Sequence, residues 1–220
     1  MKEAAIPTPK DDEILIKIKA AGVNRADIAQ KNGLYPPPPG ASEILGLECS
    51  GTIESIGKKV TSKNPGDEVI ALLSGGGYAE YVTCPEHHAI HKPLNLTWIE
   101  GAAIPEVYAT CWLNLFTEGN MKEGDKVVFH AGASGIGTAG IQLAKVFGCT
   151  SFVSAGTKAK IDFCINLGAS EGEIRSEDIF AKIKNWAPEG VDIILDPVGA
   201  AYLENNLSVL GLEGRLIIIG

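Results

Sequence analysis

The chain contains no apolar run near the ~20 residues that a membrane-spanning helix needs. Its first residues, Met1-Lys2-Glu3-Ala4-Ala5-Ile6-Pro7, hold no apolar core of the secretory kind. Cysteine is sparse: Cys49, Cys84, Cys111, Cys149 and Cys164 are odd in number, and no two are spaced C-x-x-C. That argues against a disulfide framework or a cysteine-built zinc knuckle and fits reduced thiols in a cytoplasmic protein. Positive charge is in deficit, with 19 Lys+Arg against 27 Asp+Glu and a net charge of -8. Nothing in that balance favours a nucleic-acid surface. No internal repeat is present, and Pro36-Pro37-Pro38-Pro39 is the one low-complexity stretch.

What is there is ordinary for a folded protein. Hydrophobic residues make up 45% and charged residues 21% of 220, a composition that excludes a disordered or collagen-like chain. Glycine is in excess at 26 residues, as in α/β proteins with tight strand–helix turns. The length allows one large domain or two small ones.

The first half reads as short strands over 13–20, 50–56, 68–73 and 78–83, bounded by Gly and Pro. In the first, Ile14, Ile16 and Ile18 alternate with Lys17 and Lys19, the period of a half-buried strand. A short helix is expected over 24–32, then an extended proline loop through Tyr35. These features predict a small β-rich domain, partly closed as a barrel, followed by a helix over 105–117 with Pro105 in its first turn. The second half alternates strands (126–131, 150–154, 191–196, 215–219) with helices (136–147, 158–167, 179–186, 202–210). Such alternation predicts a parallel, doubly wound sheet. Because the chain closes on the apolar strand ending at Gly220, the dinucleotide domain is expected to be cut short there.

Strand 126–131 runs into Gly132-Ala133-Ser134-Gly135-Ile136-Gly137 and then a helix. This is a G-x-G-x-x-G layout with Ser134 at the middle glycine. Between a strand and a helix it predicts a dinucleotide site, with the pyrophosphate on the loop amides and helix N-terminus. An NAD site usually places an acid at the end of the second strand. Here that strand runs out through Gly156, Thr157, Lys158 and Lys160, and no acid appears until Asp162. A hydroxyl and two lysines attract a 2′-phosphate that an acid would repel, so the cofactor expected is NADPH, with Lys160 preferred over Lys158.

The motifs Ala21-Gly22-Val23-Asn24-Arg25-Ala26-Asp27, Gly33-Leu34-Tyr35-Pro36-Pro37-Pro38-Pro39-Gly40 and Leu45-Gly46-Leu47-Glu48-Cys49-Ser50-Gly51 resemble the medium-chain dehydrogenase/reductase superfamily. So do Pro65-Gly66-Asp67-Glu68-Val69, Gly75-Gly76-Gly77-Tyr78-Ala79-Glu80-Tyr81-Val82, the glycine loop, and Asp196-Pro197-Val198-Gly199. The resemblance is to the zinc-free quinone oxidoreductase branch, and within it to the tumour-suppressor-inducible subgroup, which also has Ser in the glycine loop. It covers essentially the whole chain.

It implies a GroES-like catalytic domain over 1–118 and a partial dinucleotide-binding (Rossmann) domain over 119–220. The first strand and a C-terminal segment of the family would then be absent, and the complete protein would be a homodimer. It also implies that Asn24 and Tyr35 lie by the nicotinamide and acceptor, and Thr110 by the nicotinamide amide. The cofactor set expected is Thr110, Gly132, Ser134, Gly135, Ile136, Gly137, Gly156, Thr157, Lys160 and Gly199.

Zinc-dependent relatives have Cys at the position of Asn24 and His at that of Leu47, and neither residue here is a zinc ligand. His87 and His91 are spaced i, i+4 but lie between Pro85 and Pro93, where ordinary histidines are expected. His130, at a buried strand end, is expected to be packed and structural.

The activity implied is NADPH-dependent reduction of a quinone without zinc. A ketone becomes a strongly basic alkoxide, whereas a quinone becomes a phenolate-like anion with basicity nearer that of Tyr, ~10. Neutral donors such as Asn24 and Tyr35 then suffice. Simpler roles compete: Asn24 as a helix cap, Tyr35 as a brace for the proline loop, Glu48 as a structural hydrogen-bonding group. Two other functions remain open: an NADPH-dependent enal or enoyl reductase on the same scaffold, and a cofactor-binding, non-catalytic protein of crystallin-like or truncated kind.

Overall fold

A computed structural model describes residues 3–176 and 178–219. The chain divides into two compact units, Met1–Glu106 and Val107–Gly220. Among the described residues no helix is long and apolar enough to cross a membrane.

The first unit is built on an antiparallel sheet. Its strands are β1 (Glu13–Ala21), β2 (Glu48–Ile56), β3 (Glu68–Leu72), β4 (Tyr81–Pro85) and β5 (Ala89–His91), in the order β4-β1-β2-β3-β5. In β1, Ile14 and Ile16 are fully buried with Ile18 packed beside them and Lys17 and Lys19 are exposed, as the sequence predicts, but Leu15 on the opposite face is buried as well. Ile14 lies opposite Ile56 of β2 and Cys84 of β4, and Ile16 opposite Ile53 and Val82. Helix α1 (Arg25–Lys31) follows β1, and α2 (Trp98–Ala102) follows β5. A capping box starts α2: Thr97 Oγ1 accepts from the Glu100 N–H and the Thr97 N–H donates to the Glu100 carboxylate.

Strand β4 begins three residues later than the spacing suggests. Residues 76–78 instead pair with 44–46 through Gly76 N–H to Ile44 O, Gly77 N–H to Gly46 O and Tyr78 N–H to Leu45 O. Any side chain at Gly46, whose φ is +108°, would overlap the Gly77 and Tyr78 backbone.

Helix α3 (Pro105–Cys111) is shorter than expected, and Trp112–Glu118 widens into a π-helix. Asn114 Nδ2 takes the Thr110 carbonyl at 2.8 Å, the acceptor its own N–H would use in a regular α-helix. Cys111 and Leu115 of this stretch belong to the core of the second unit.

The second unit is a parallel sheet with strand order β10-β9-β6-β7-β8. The strands are β6 (Lys126–Phe129), β7 (Thr150–Ala155), β8 (Glu171–Ile174), β9 (Val191–Asp196) and β10 (Leu210–Ile218). Helices α4 (Gly135–Val146), α5 (Lys158–Leu167), α6 (Ile179–Trp186) and α7 (Leu203–Val209) alternate with them. Successive residues of each strand serve opposite faces. Val127, Phe129, Val153, Ile193 and Leu195 pack under α4 and α5 with Ile141, Ala144 and Ile161. Val128, Phe152 and Ile194 pack under α6 and α7 with Ile179, Ile183 and Val209. Burying each such large side chain stabilises the fold by ~1.5–3 kcal/mol.

Helix α4 approaches the sheet closely because Gly140 leaves room for the Phe129 ring, which a Cβ there would overlap. Phe129 is fully buried and has no space to yield. Gly140→Ala is therefore expected to destabilise the protein by ~1–3 kcal/mol. The check is a lowered urea midpoint with an unchanged slope.

Candidate functional site

The turn after β6 is shaped by two close contacts and one left-handed residue. Gly132 lies against the Val153 side chain of β7, Gly137 against the Gly132 backbone, and Ala131 sits at φ +53°, a left-handed conformation few non-glycine residues adopt. Ser134 is the N-cap of α4, its Oγ accepting from the Gly137 N–H at 3.1 Å. Among the described residues the N–H groups of Gly135 and Ile136 have no acceptor. The result is a glycine-lined turn with free amides at the start of a 12-residue helix, which fits an anionic dinucleotide phosphate. Side chains at Gly132 or Gly137 would fill that turn.

At the end of β7 the structure adds a residue that sequence reasoning missed. Arg175, just after β8, brings Nη2 within 3.3 Å of where a Cβ on Gly156 would stand. Gly156, Arg175 and Ser176 border an open pocket of about 490 Å³, lined also by Phe180, Tyr202 and Asn205. Thr157 caps α5, its Oγ1 accepting from the Lys160 N–H. Lys160 is exposed on the first turn, whereas Lys158 pairs with Asp162 on the same helix. The cation nearest the acid-free strand end therefore comes from the neighbouring strand. No local motif marks Arg175, because β8 itself carries no apolar run.

Gly199, with φ +76°, gives its N–H to Asp196 Oδ2 at 3.2 Å, and the Val198 N–H bonds Oδ1 at 2.7 Å. Asp196 is fully buried and also accepts from Asn206 Nδ2 at 2.9 Å. With that amide committed, Asn206 Oδ1 accepts from His130 Nε2 at 2.8 Å, so His130 Nδ1 accepts from Ser154 Oγ at 3.0 Å. One chain of bonds thus ties the ends of β6, β7 and β9 together, and His130 is structural. Thr110 stands on α3 with its carbonyl held by Asn114.

Burial pushes the His130 pKa below its ordinary value, against the opposing effects of the Asn206 bond and the Asp196 charge. The unfolded chain takes up this proton near pH 6.5, while the folded chain resists. The stability linked to His130 is present in full above about pH 6.5 and is lost as the pH falls below it, by up to ~1.4 kcal/mol per pH unit. The urea midpoint is expected to drop between pH 7.5 and 5.5, and to drop less in His130→Gln. Equal drops in the two proteins would remove His130 from this role.

In the first unit two buried carboxylates organise the residues around Asn24. Asp27, 3% exposed, accepts from the Asn24 N–H (2.8 Å), the Tyr78 hydroxyl (2.8 Å) and the Gly46 N–H (3.2 Å). Burial, and then the bond to Asp27, push the Tyr78 hydroxyl up to about 12. Glu48, 2% exposed, accepts from Asn24 Nδ2 at 2.8 Å and from the Glu106 N–H at 2.9 Å.

Asn24 occupies the N-cap position of α1 in a capping box with Asp27, whose carboxylate takes the Asn24 N–H, and its Nδ2 donates to Glu48. Tyr35 lies about half exposed between α1 and β2, with no side-chain hydrogen bond among the described residues. Leu47 is buried. Among the described residues no group of three or more His, Cys, Asp or Glu is placed to hold a metal ion. An amide committed to a carboxylate beside a buried leucine does not make a zinc site.

Residues 10–94 match the family described as alcohol dehydrogenase GroES-like domain, and residues 135–220 the family described as zinc-binding dehydrogenase. The chain is 34% identical to the quinone oxidoreductase of Sus scrofa, over 99% of this chain and 67% of that protein. It is 31% identical to the synaptic vesicle membrane protein VAT-1 homolog of Danio rerio, over 97% of this chain and 44% of that protein. The chain thus spans 44% to 67% of the length of these relatives. Among solved structures, Escherichia coli quinone oxidoreductase complexed with NADPH superposes with a TM-score of 0.87 at 26% identity, covering 100% of this chain and 70% of that one.

Proposed function

The chain belongs to the medium-chain dehydrogenase/reductase family, in its quinone oxidoreductase-like branch, and on that premise we propose that the protein is an NADPH-dependent quinone oxidoreductase working without zinc. The observation that carries the cofactor reading is the Arg175 guanidinium beside Gly156 at the acid-free end of β7. Lys160 adds an exposed cation on the following helix. A 2′-phosphate is bound well by such a pair and a bare ribose hydroxyl gains little from it. The reduced nicotinamide supplies a hydride when bound. The chain's own part is to hold the pyrophosphate on the Gly135 and Ile136 amides and the phosphorylated ribose near Gly156, Thr157, Lys160 and Arg175. Gly132, Ser134 and Gly137 shape the turn, and Thr110 and Gly199 complete the cofactor set.

On the acceptor side, Asn24 and Tyr35 are the residues we assign to the quinone oxygen. Both are neutral donors, suited to an oxygen that becomes phenolate-like rather than alkoxide-like. The assignment asks nothing of a metal, which agrees with Asn24 and Leu47 standing where zinc-dependent relatives have ligands. The support from relatives is that the Sus scrofa and Escherichia coli proteins bear the name quinone oxidoreductase.

The cofactor reading is tested by titrating NADPH and NADH, following nicotinamide fluorescence. NADPH is expected to bind more tightly. Arg175→Ala should weaken NADPH binding by ~1.5–3 kcal/mol, roughly 10- to 150-fold, with a smaller loss for Lys160→Ala because that site is screened. NADH affinity should be nearly unchanged in both. Equal wild-type affinities for the two cofactors would refute the preference.

The acceptor reading is tested by steady-state kinetics of metal-stripped protein with a small quinone, an enal and an aliphatic ketone. Quinone turnover is expected, with Asn24→Ala and Tyr35→Phe lowering kcat and kcat/KM together by ~10–1000-fold. Robust ketone reduction, or activity that needs added zinc, would overturn it. Turnover of the enal alone would move the substrate class to conjugated carbonyls.

A further inference from the structure

Glu48 opens β2 with its side chain directed at the chain that enters α1. Space is kept for it: any side chain at Gly22 would overlap the Glu48 carboxyl. Its two oxygens have separate tasks. Oε2 holds the backbone N–H of Glu106 at the start of α3, and Oε1 holds Asn24 Nδ2. Both oxygens accept, which is the pattern of an ionised carboxylate. No cation faces it. The titratable groups around it are Asp27 on α1, Glu106 on α3, Tyr78 in the turn before β4, and Cys49 next in its own strand.

An amide side chain has two unlike ends. A carboxylate can only accept, so it must face the Nδ2 end of Asn24 and leaves Oδ1 and the second N–H free of it. The Asn24 side chain also faces the Asp27 N–H in the capping box that opens α1. The main-chain N–H of Asn24 is meanwhile fixed by Asp27, so the residue is held at both ends.

We propose that Glu48 is a positioning residue for Asn24: by pinning Nδ2 it sets which groups of the amide are offered to the acceptor. This rests on the reading of Asn24 as the residue that contacts the acceptor. A proton on Glu48 converts one acceptor oxygen into a donor. The Glu106 N–H, being backbone, cannot turn away, so the O–H must face Asn24, and the amide must present Oδ1 to it. The arrangement therefore reverses when Glu48 is protonated. Burial raises the Glu48 pKa, with the Asp27 charge adding to it and the two accepted bonds opposing. The reversal thus falls at a higher pH than for an ordinary carboxylate, and it occurs as the pH is lowered.

Glu48→Gln makes the same reversal permanent. Its one oxygen is taken by the Glu106 N–H and its amide faces Asn24. The test has two arms on the full chain. The first follows the Asn24 side-chain NH2 resonances of uniformly 15N-labelled wild type, identified by their loss in Asn24→Ser, from pH 8 to 4.5. They are expected to titrate, and the component due to Glu48 to vanish in Glu48→Gln while any from Asp27 or Glu106 persists.

The second arm measures kcat/KM for the quinone against pH, together with NADPH affinity. Wild type should lose activity toward acid. Glu48→Gln should be reduced about 10- to 100-fold at pH 7.5, should lack that acid limb, and should bind NADPH as wild type does. Asn24 resonances that do not move in wild type would overturn the proposal even if Glu48→Gln fails to fold. An unchanged rate and pH profile in a folded Glu48→Gln would overturn it as well. Titrating resonances in a protein that reduces no quinone would sustain the link between the two residues and refute the acceptor reading alone.

Discussion

Buried carboxylates without a cation are the constraint on which both units depend. Asp27 and Glu48 in the first unit and Asp196 in the second are each at most 3% exposed, and none forms an ion pair among the described residues. A buried charge with no partner costs several kcal/mol, so each must collect hydrogen-bond donors. The donors come from loops and from helices, Asn206 on α7 and the Glu106 N–H in the first turn of α3. Asp27 gathers the entry to α1, the Gly46 crossing and Tyr78. Glu48 gathers Asn24 and the start of α3. Asp196 gathers the Val198–Gly199 turn and Asn206. The sheets stand on apolar packing, but the segments that carry Asn24, Glu106 and Gly199 are hung from these three acids.

This explains what could be read from residue order. Period-2 alternation in β1 and the switch to strand–helix alternation after residue 126 are local signals backed by burial, and both architectures follow from them. The glycine turn is legible because one of its steric needs is local: Gly137 is small where the Gly132 backbone comes close.

What was not read had weaker or distant signals. Strand β8, Glu171-Gly172-Glu173-Ile174, is too polar to announce itself and exists because Gly172 lies against Val153 of β7. The capping box of α2 is written in Thr97 and Glu100. The π-helical widening at Trp112 rests on one side chain, Asn114, competing for a carbonyl. Asn24 has two local roles, cap or donor, and its place in a capping box with Asp27 is a local signal, whereas its bond to Glu48, 24 residues away, is not.

The end of β7 shows the same limit where specificity is concerned. Reading forward from Ser154 offers Lys158 and Lys160, and sequence alone ranks them by spacing. In three dimensions Lys158 is engaged by Asp162, and the guanidinium at Gly156 belongs to a residue nineteen positions later. Parallel pairing of β7 with β8, Ala155 against Ile174, is what brings the two together. A lysine is a flexible point charge, whereas a guanidinium presents a planar fork that matches a phosphate. The proposed NADPH preference therefore rests on the side chain that the neighbouring strand delivers to the glycine, more than on the charge pattern of the helix that follows it.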